Sequence, residues 1–216
     1  QSTEEALLKQ LCVINDDPEI NGCLMFRPLP EFVDEKKACD TLVIHKDIDG
    51  ISTASLGAVF SDDPDVFAPC TAEACLTMLD HYDVPLAGKH VVVVGRSLVI
   101  GKPVAMLLLK RNASVTMCHS KTEGLRALTR QADIVICATG RPKAFDHTFF
   151  SPGQTVVDVG ISFDDEGNLC GDVDFADVEP VVGAITPVPG GIGSVTTSVT
   201  MEHTVLAAER QARLQK

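Results

Sequence analysis

Four consecutive valines, residues 91–94, constrain the fold more than any other feature, because an unbroken β-branched run suits a strand buried on both faces. Strands and helices alternate after this run, a pattern typical of a parallel sheet covered by helices. The predicted strands are 90–94, 114–118, 133–138 and 154–159, and the predicted helices between them include 102–111 and 123–131. The sequence therefore predicts an α/β protein with a parallel-sheet domain in its C-terminal part.

The chain is predicted to form two lobes, with the parallel-sheet domain at residues 86–193. Residues 1–85 would form an incomplete N-terminal α/β lobe, joined by a C-terminal helix within 194–216 that packs back on it. In the first lobe, the predicted elements are a short buried strand at 23–26, ended by the prolines that follow, and helices at 34–41 and 71–82, the latter capped by Thr71.

A glycine loop follows the valine run and leads into the predicted helix 102–111. Gly95 allows a tight turn, Gly101 allows the helix to start close to a ligand or to the sheet, and Pro103 suits the first helical turn. A helix start attracts anions through its free N–H groups and its dipole. The spacing is not the usual G-x-G-x-x-G, so an ordinary strand-to-helix turn is the alternative. The position between a strand and a helix favours a dinucleotide-binding, Rossmann-type domain.

The end of the second predicted strand, 114–118, indicates which dinucleotide fits. NAD-binding units usually carry a carboxylate about 20 residues after the glycines, where it holds the ribose 2′-hydroxyl. Residues 119–122 contain no carboxylate; they offer Ser120 and Lys121, while Arg96 lies in the glycine loop. Because a guanidinium binds phosphate oxygens in a forked geometry, the sequence favours NADP as the cofactor. For Lys121 there are two alternatives: it contacts the 2′-phosphate directly, or it is a solvated surface charge.

Composition excludes several classes of function. The formal net charge of −12 and the lack of tryptophan argue against a nucleic-acid partner, since such binding depends on basic residues and aromatic stacking. No apolar stretch is long enough to span a bilayer, and the acidic start does not resemble a signal peptide, so we expect no membrane partner. Eight cysteines without a Cys-x-x-Cys pair favour buried, reduced thiols over disulfides or a metal site. We therefore expect a cytoplasmic protein without a bound metal.

Five segments of the sequence form a recognisable set. They are 46–50 (Lys-Asp-Ile-Asp-Gly), 69–71 (Pro-Cys-Thr), 95–103 (Gly-Arg-Ser-x-x-x-Gly-Lys-Pro), 118–122 (Cys-His-Ser-Lys-Thr) and 187–193 (Pro-Val-Pro-Gly-Gly-Ile-Gly). In their order and approximate spacing they resemble the methylenetetrahydrofolate dehydrogenase/cyclohydrolase family. The resemblance implies two lobes around a cleft, hydride transfer from methylenetetrahydrofolate to NADP⁺, hydrolysis of the methenyl product to formyltetrahydrofolate, and a homodimer.

The resemblance also implies roles for individual residues. The cofactor-binding residues would be Gly95, Arg96, Ser97, Ser120 and Ile161. Asp49 would be a catalytic and substrate-binding residue, because an ionised carboxylate can accept hydrogen bonds from the pterin N–H donors. Pro189, Gly190 and Gly191 would shape the cleft where tetrahydrofolate derivatives meet the nicotinamide. From the residues alone, an aspartate before Gly50 is also a common turn arrangement.

The sequence departs from the family pattern in two ways that concern hydrolysis. The family's earliest segment, which carries a Tyr and a catalytic Lys, has no counterpart here, so we expect a fragment or a chain that starts within a longer protein. Phe26 takes the place of a Gln, and a phenyl ring cannot hydrogen-bond as an amide does. The resemblance therefore implies dehydrogenase activity first, with cyclohydrolase activity in doubt. A non-catalytic NADP-binding relative, or an NADP oxidoreductase whose cleft is reshaped by Phe26 and Arg27, is the alternative.

Overall fold

The computed structural model describes residues 3–214. The chain divides into two compact units. One comprises the residues up to Cys70 together with those from Thr197 onward, and the other comprises Thr71–Thr196. The domain boundaries expected from the sequence stay a prediction, and each unit is described by itself.

The second unit, whose residues are all described, contains seven β-strands. In chain order, they are β1 (His90–Val94), β2 (Ser114–Cys118), β3 (Ile134–Cys137), β4 (Thr155–Asp158), β5 (Ser162–Phe163), β6 (Leu169–Cys170) and β7 (Ala184–Ile185). Five of them form a parallel sheet with the strand order β2-β1-β3-β4-β7, and β5 and β6 form a separate antiparallel pair. The α/β class and the parallel sheet are thus confirmed, and β1 and β2 have the predicted bounds. The two-residue edge strand β7 was not predicted, because so short a segment carries no periodic signal.

Eight α-helices occur within residues 3–214. They are α1 (Glu4–Asp16), α2 (Glu35–Thr41), α3 (Thr53–Phe60), α4 (Cys70–His81), α5 (Gly101–Lys110), α6 (Leu125–Arg130), α7 (Phe175–Val178) and α8 (Ile192–Leu214). Short 3₁₀ turns lie at Ile44–Lys46 and His147–Phe149. The expected cap of α4 is wrong: the helix begins at Cys70, so Thr71 lies inside its first turn.

The core of the second unit explains why the valine run forms a strand. Val92, Val135 and Val156 stand side by side on β1, β3 and β4, and each is 0% exposed. Val91 and Val93 alternate with Val92 along β1 and are also 0% exposed, so both faces of the strand are covered. Helix α5 packs against β1 and β2. Burial on both faces is what a β-branched run without polar alternation indicates.

The described part of the first unit is mainly helical. Its core gathers Leu11 of α1, Ala38 of α2, Met25 and Ile51. The strand predicted at 23–26 is wrong, since Cys23 forms only an isolated bridge with Asp47. A strand needs a hydrogen-bonded neighbour along its length, and within the described residues this segment has one only at that bridge.

Two helices of the first unit show how local sequence sets their starts. Asp34 caps α2 by accepting a hydrogen bond from the Lys37 N–H at 3.0 Å, which agrees with the predicted helix at 34–41. Helix α3 was missed by the sequence analysis. Its N-cap is Ser52, whose hydroxyl accepts the Ser55 N–H at 3.1 Å.

The part of α8 that belongs to the first unit packs on the segment before α4. The His203 ring stacks on Phe67 with the ring centres 4.5 Å apart. The Arg210 guanidinium lies 4.2 Å from the centre of the same ring and donates a hydrogen bond to the Asp65 carbonyl at 2.7 Å. This end of α8 is therefore attached through both apolar and polar contacts.

All eight cysteines lie within the described range and carry free thiols. Cys12 is exposed and Cys23 is half-buried, whereas the other six are buried. No cluster of His, Cys, Asp or Glu side chains suited to a metal ion occurs within residues 3–214. In the same range, no helix combines the length and apolar character that crossing a membrane requires.

Candidate functional site

The loop after β1 lies where the strand order reverses. From β1 the chain passes to β2 on one side of the sheet, and it then crosses to β3 on the other side. Ligands of open parallel sheets bind at such a switch point, beyond the carboxyl ends of the strands. Gly95 has a φ of +134°, and a Cβ on it would lie 2.2 Å from the Ala138 carbonyl oxygen. Only glycine allows the chain after β1 to approach the end of β3 this closely.

Helix α5 starts directly against this loop. A Cβ on Gly101 would lie 2.2 Å from the Gly95 carbonyl oxygen. Ser97 shapes the turn, since its hydroxyl accepts the Ile100 N–H at 3.1 Å and its carbonyl accepts the Lys102 N–H at 3.0 Å. No side chain caps the helix at its N-cap residue, Ile100. The positive end of the α5 dipole is therefore left to face an external anion.

The turn after β2 is joined to the same loop. The Gly95 N–H donates to the Cys118 carbonyl at 2.9 Å, which brings the ends of β1 and β2 together. The turn is closed by hydrogen bonds between residues 119 and 122, and Ser120 is exposed on it. Arg96 is also exposed and forms no ion pair within residues 3–214. In a chain with a net charge of −12, this leaves an accessible cation beside a helix start.

A cavity of about 180 Å³ in the second unit gathers the other residues singled out by the sequence. Its lining includes Ile161, Pro189, Gly190 and Gly191. Ile161 is 65% exposed, so its apolar surface is available to a ligand.

Within the segment 46–50, the first two side chains are structural. The Lys46 ammonium donates to three main-chain carbonyls at and after the end of α1, those of Ile14, Asn15 and Asp17, at 2.6–2.9 Å. Asp47 is fully buried and accepts from the N–H groups of residues 51 and 52 at 3.1 and 2.9 Å and from a serine hydroxyl at 2.6 Å. Neither side chain is free to bind a substrate.

Asp49 differs from both, because its side chain is only partly buried, with 22% exposed. One carboxylate oxygen accepts the Cys70 N–H at 3.4 Å, and the other lies 3.8 Å from the Arg27 guanidinium. Burial raises the pKa of the Asp49 carboxyl, while the Cys70 thiol and Arg27 act in the opposite direction. Asp49 is thus a carboxylate with unused acceptor capacity at the surface of the first unit.

Comparison with known proteins assigns the chain to a family. The family model of the tetrahydrofolate dehydrogenase/cyclohydrolase NAD(P)-binding domain matches residues 69–212, which include the loops after β1 and β2 and the cavity around Ile161. The chain belongs to the tetrahydrofolate dehydrogenase/cyclohydrolase family. The resemblance found in the five sequence segments is thereby confirmed.

Individual members of this family are similar to the chain over nearly all of its length. The bifunctional protein FolD of Carboxydothermus hydrogenoformans is 49% identical over 208 residues, covering 95% of this chain and 72% of that protein. The crystal structure of the Campylobacter jejuni bifunctional enzyme FolD has a TM-score of 0.95 at 35% identity, covering 98% of this chain and 75% of that one. The Trypanosoma brucei FolD structure, complexed with NADP cofactor and inhibitor, has a TM-score of 0.92 at 33% identity, covering 99% and 75%.

The structure places the expected site residues in three locations. Gly95, Arg96, Ser97 and Ser120 lie at the joined ends of β1 and β2, whereas Ile161 and the loop residues 189–191 line one cavity of the same unit. Asp49 belongs to the other unit. The roles that the sequence analysis gave to these residues stay predictions.

A pair of buried carboxylates, Asp158 and Asp172, was not predicted from the sequence. Asp158 accepts the N–H groups of Gly160, Asp172 and Val173 at 2.8–3.0 Å. Asp172 accepts the N–H groups of Thr139 and Arg141, so the two carboxylates hold the loops after β3 and β4. Burial raises the pKa of Asp158 to about 6. The available signal was a lone aspartate at the end of a buried strand, where a charge needs hydrogen-bond partners.

Proposed function

We propose that the chain is an NADP-dependent 5,10-methylenetetrahydrofolate dehydrogenase. The observation that carries this proposal is the accessible Arg96 at the switch point, with no carboxylate on the turn after β2 to bind a ribose hydroxyl. Family membership supports the folate substrate, and the NADP complex of the Trypanosoma brucei relative supports the cofactor.

The residues present fit a dinucleotide phosphate. Arg96 offers a forked donor for a 2′-phosphate, with the Ser120 hydroxyl on the neighbouring turn. The uncapped start of α5 offers a positive dipole end to the pyrophosphate. The exposed Ile161 and the adjacent glycines 190 and 191 offer an apolar wall and close main-chain approach for the nicotinamide end.

The reaction needs alignment rather than a side-chain nucleophile. Bound NADP⁺ would supply the hydride acceptor. In our proposal, the loop 189–191 and Ile161 exclude water and hold the nicotinamide ring in place. Asp49 orients the pterin by accepting hydrogen bonds from its N–H groups. No covalent bond to the protein forms or breaks in this scheme.

We propose that cyclohydrolase activity is weak. Phe26 stands where the family has a Gln, and the residue is 84% exposed. A phenyl group can neither polarise a one-carbon unit by hydrogen bonding nor align a water molecule. We expect hydride transfer to depend less on these two tasks.

The test is NADPH formation from methylenetetrahydrofolate and NADP⁺, together with calorimetric NADP binding. Arg96→Met is expected to weaken NADP binding by about 10- to 100-fold, the value of one or two charge-assisted hydrogen bonds, while changing NAD binding little. Lys121→Met is the matched control, and a change below about threefold would identify Lys121 as a solvated charge. Failure of the wild-type chain to bind NADP would reject the proposal.

A second candidate is a non-catalytic NADP-binding relative, which Phe26 favours because it removes an expected polar group. It predicts NADP binding without turnover. An oxidoreductase with another substrate predicts that NADP binds but that added folate does not compete with the true substrate.

We also propose that the protein is a cytoplasmic homodimer, as the family resemblance implies. Analytical ultracentrifugation of the purified chain would test the dimer. A single species at the mass of one 23.1 kDa chain over the accessible concentration range would contradict it.

A further inference from the structure

The Arg27 side chain lies between two carboxylates of the first unit. One guanidinium nitrogen is 3.8 Å from an Asp49 oxygen, and another is 3.8 Å from a Glu35 oxygen. Only 18% of the Arg27 side chain is exposed, compared with 22% for Asp49 and 42% for Glu35. Because the guanidinium is largely withdrawn from water, its interactions are screened less than those of a surface pair.

Glu35 anchors Arg27 in this position. The Glu35 Oε1 atom lies near the guanidinium, and the Oε2 atom accepts the Leu29 N–H at 3.2 Å. Glu35 therefore contacts both the Arg27 side chain and the main chain two residues after it. Glu35 is also the first residue of α2, where the helix dipole favours a negative charge. Glu35 therefore fixes one side of the guanidinium, and the other side faces Asp49.

Asp49 has one cationic neighbour within 4.0 Å among the described residues, and it is Arg27. Asp47 repels its charge, and the Cys70 N–H at 3.4 Å gives only a long hydrogen bond. The Cys70 thiol, which like Arg27 lowers the pKa of the Asp49 carboxyl, also lies 3.5 Å from the ring Nδ1 of His203. Because Asp47 is already held by three donors, it does not compete for Arg27.

We propose that Arg27 is a positioning residue for the substrate site, holding the Asp49 carboxylate charged and oriented so that it can accept the N–H donors of the pterin. This proposal rests on the proposed function, because it assumes that Asp49 binds a folate. The sequence alone led only to the alternative that Phe26 and Arg27 reshape the cleft, whereas the contact between Arg27 and Asp49 comes from the structure.

The first measurement needs no ligand. Carbon-13 NMR titration of the Asp49 carboxyl should show a higher pKa in Arg27→Met than in the wild type, because the one opposing cation is gone while burial remains. Arg27→Lys, which keeps the charge, should restore most of the difference. Arg111→Met is the control: it removes an arginine paired with Asp80 in the other unit, and it should leave Asp49 unchanged.

The second measurement is calorimetric binding of 5-formyltetrahydrofolate, a stable folate, as a function of pH. Arg27→Met should bind this folate about tenfold more weakly than the wild type does. As pH is lowered, the affinity of Arg27→Met should begin to decrease at a higher pH than the affinity of the wild type, because its Asp49 is protonated earlier. NADP affinity and Tm, measured in parallel, should stay close to the wild-type values. A purely structural role would lower Tm without moving the pH at which binding is lost.

The outcomes separate the two proposals. If the wild type binds the folate and Arg27→Met matches it in affinity and in Asp49 pKa, the role of Arg27 is rejected and the proposed function stands. If the wild type binds NADP but no folate, the proposed substrate is rejected, and the role of Arg27 with it. If Arg27→Met loses folate affinity with the pH shift and Arg27→Lys regains it, the positioning role is supported.

Discussion

Replacing Gly95 by alanine tests whether close approach at the switch point builds the cofactor site. Gly95 has a φ of +134°, a backbone angle that residues other than glycine rarely adopt. The Cβ of an alanine at this position would lie 2.2 Å from the Ala138 carbonyl oxygen. The partner atom is main chain, so no side-chain rotation relieves the contact. The ends of β1 and β3 would have to separate by about 1 Å in a close-packed core.

The magnitude follows from two costs. A residue held in this backbone region costs about 1–3 kcal/mol, and forcing a methyl group into packed surroundings costs about 1–3 kcal/mol more. We therefore expect Gly95→Ala to lower the free energy of unfolding by about 2–6 kcal/mol. For a chain of this length, that corresponds to a decrease in Tm of about 4–24 °C.

Gly124→Ala is the matched control. Gly124 also has a positive φ, +66°, but nothing lies within 4 Å of its added Cβ. Backbone strain alone should cost about 1–2 kcal/mol, or about 2–8 °C in Tm. Circular dichroism would give Tm, and calorimetry at a temperature where both variants are folded would give NADP affinity. We expect at least a tenfold loss of affinity for Gly95→Ala only. Equal Tm and affinity in the two variants would refute the reasoning.

Three further predictions concern other buried groups and the thiols. Burial raises the pKa of Asp158 to about 6, so the stability that its protonated form contributes is present below about pH 4 and is lost as pH rises through about 6. In Asp158→Asn, the free energy of unfolding should lack this decrease between about pH 4 and 6. An equal pH dependence of unfolding in the two proteins would contradict the prediction. Lys46→Met leaves three main-chain carbonyls without their donor and should cost about 3 kcal/mol in urea unfolding, whereas the control Lys36→Met removes only an exposed pair and should have a much smaller effect. In thiol titration, Cys12 should react first and Cys23 more slowly, since burial raises the pKa of Cys23; several thiols reacting at once in the folded chain would contradict the structure.

The elements that the sequence predicted well are those whose signal is local. The strands β1 and β2 match their predicted bounds, because β-branched runs between turn residues report burial directly. The glycine loop was recognisable because Gly95 and Gly101 lie where a Cβ atom would collide with main-chain atoms, so only glycine fits. Arg96 and Ser120 are predicted as cofactor-binding residues from the residue types that follow two strands, and their roles stay predictions.

Other features depend on partners that are distant in sequence. The predicted strand at 23–26 failed because strand formation requires a neighbour, and only Cys23 has one, at Asp47. The pairing of Asp158 with the loop at Asp172 links residues 14 positions apart. Neither hydrophobic periodicity nor turn chemistry contains that information.

The sequence by itself determined the α/β class, the glycine loop with its adjacent cation and the family, because β-branching, glycine backbone freedom and charge are properties of single residues and short segments. Only the tertiary structure decided that Lys46 and Asp47 are held by the main chain while Asp49 faces Arg27. The physical reason is that a polar side chain can bind a ligand only if its hydrogen-bonding atoms are not already bonded within the protein. Those hydrogen-bond partners come from distant parts of the chain.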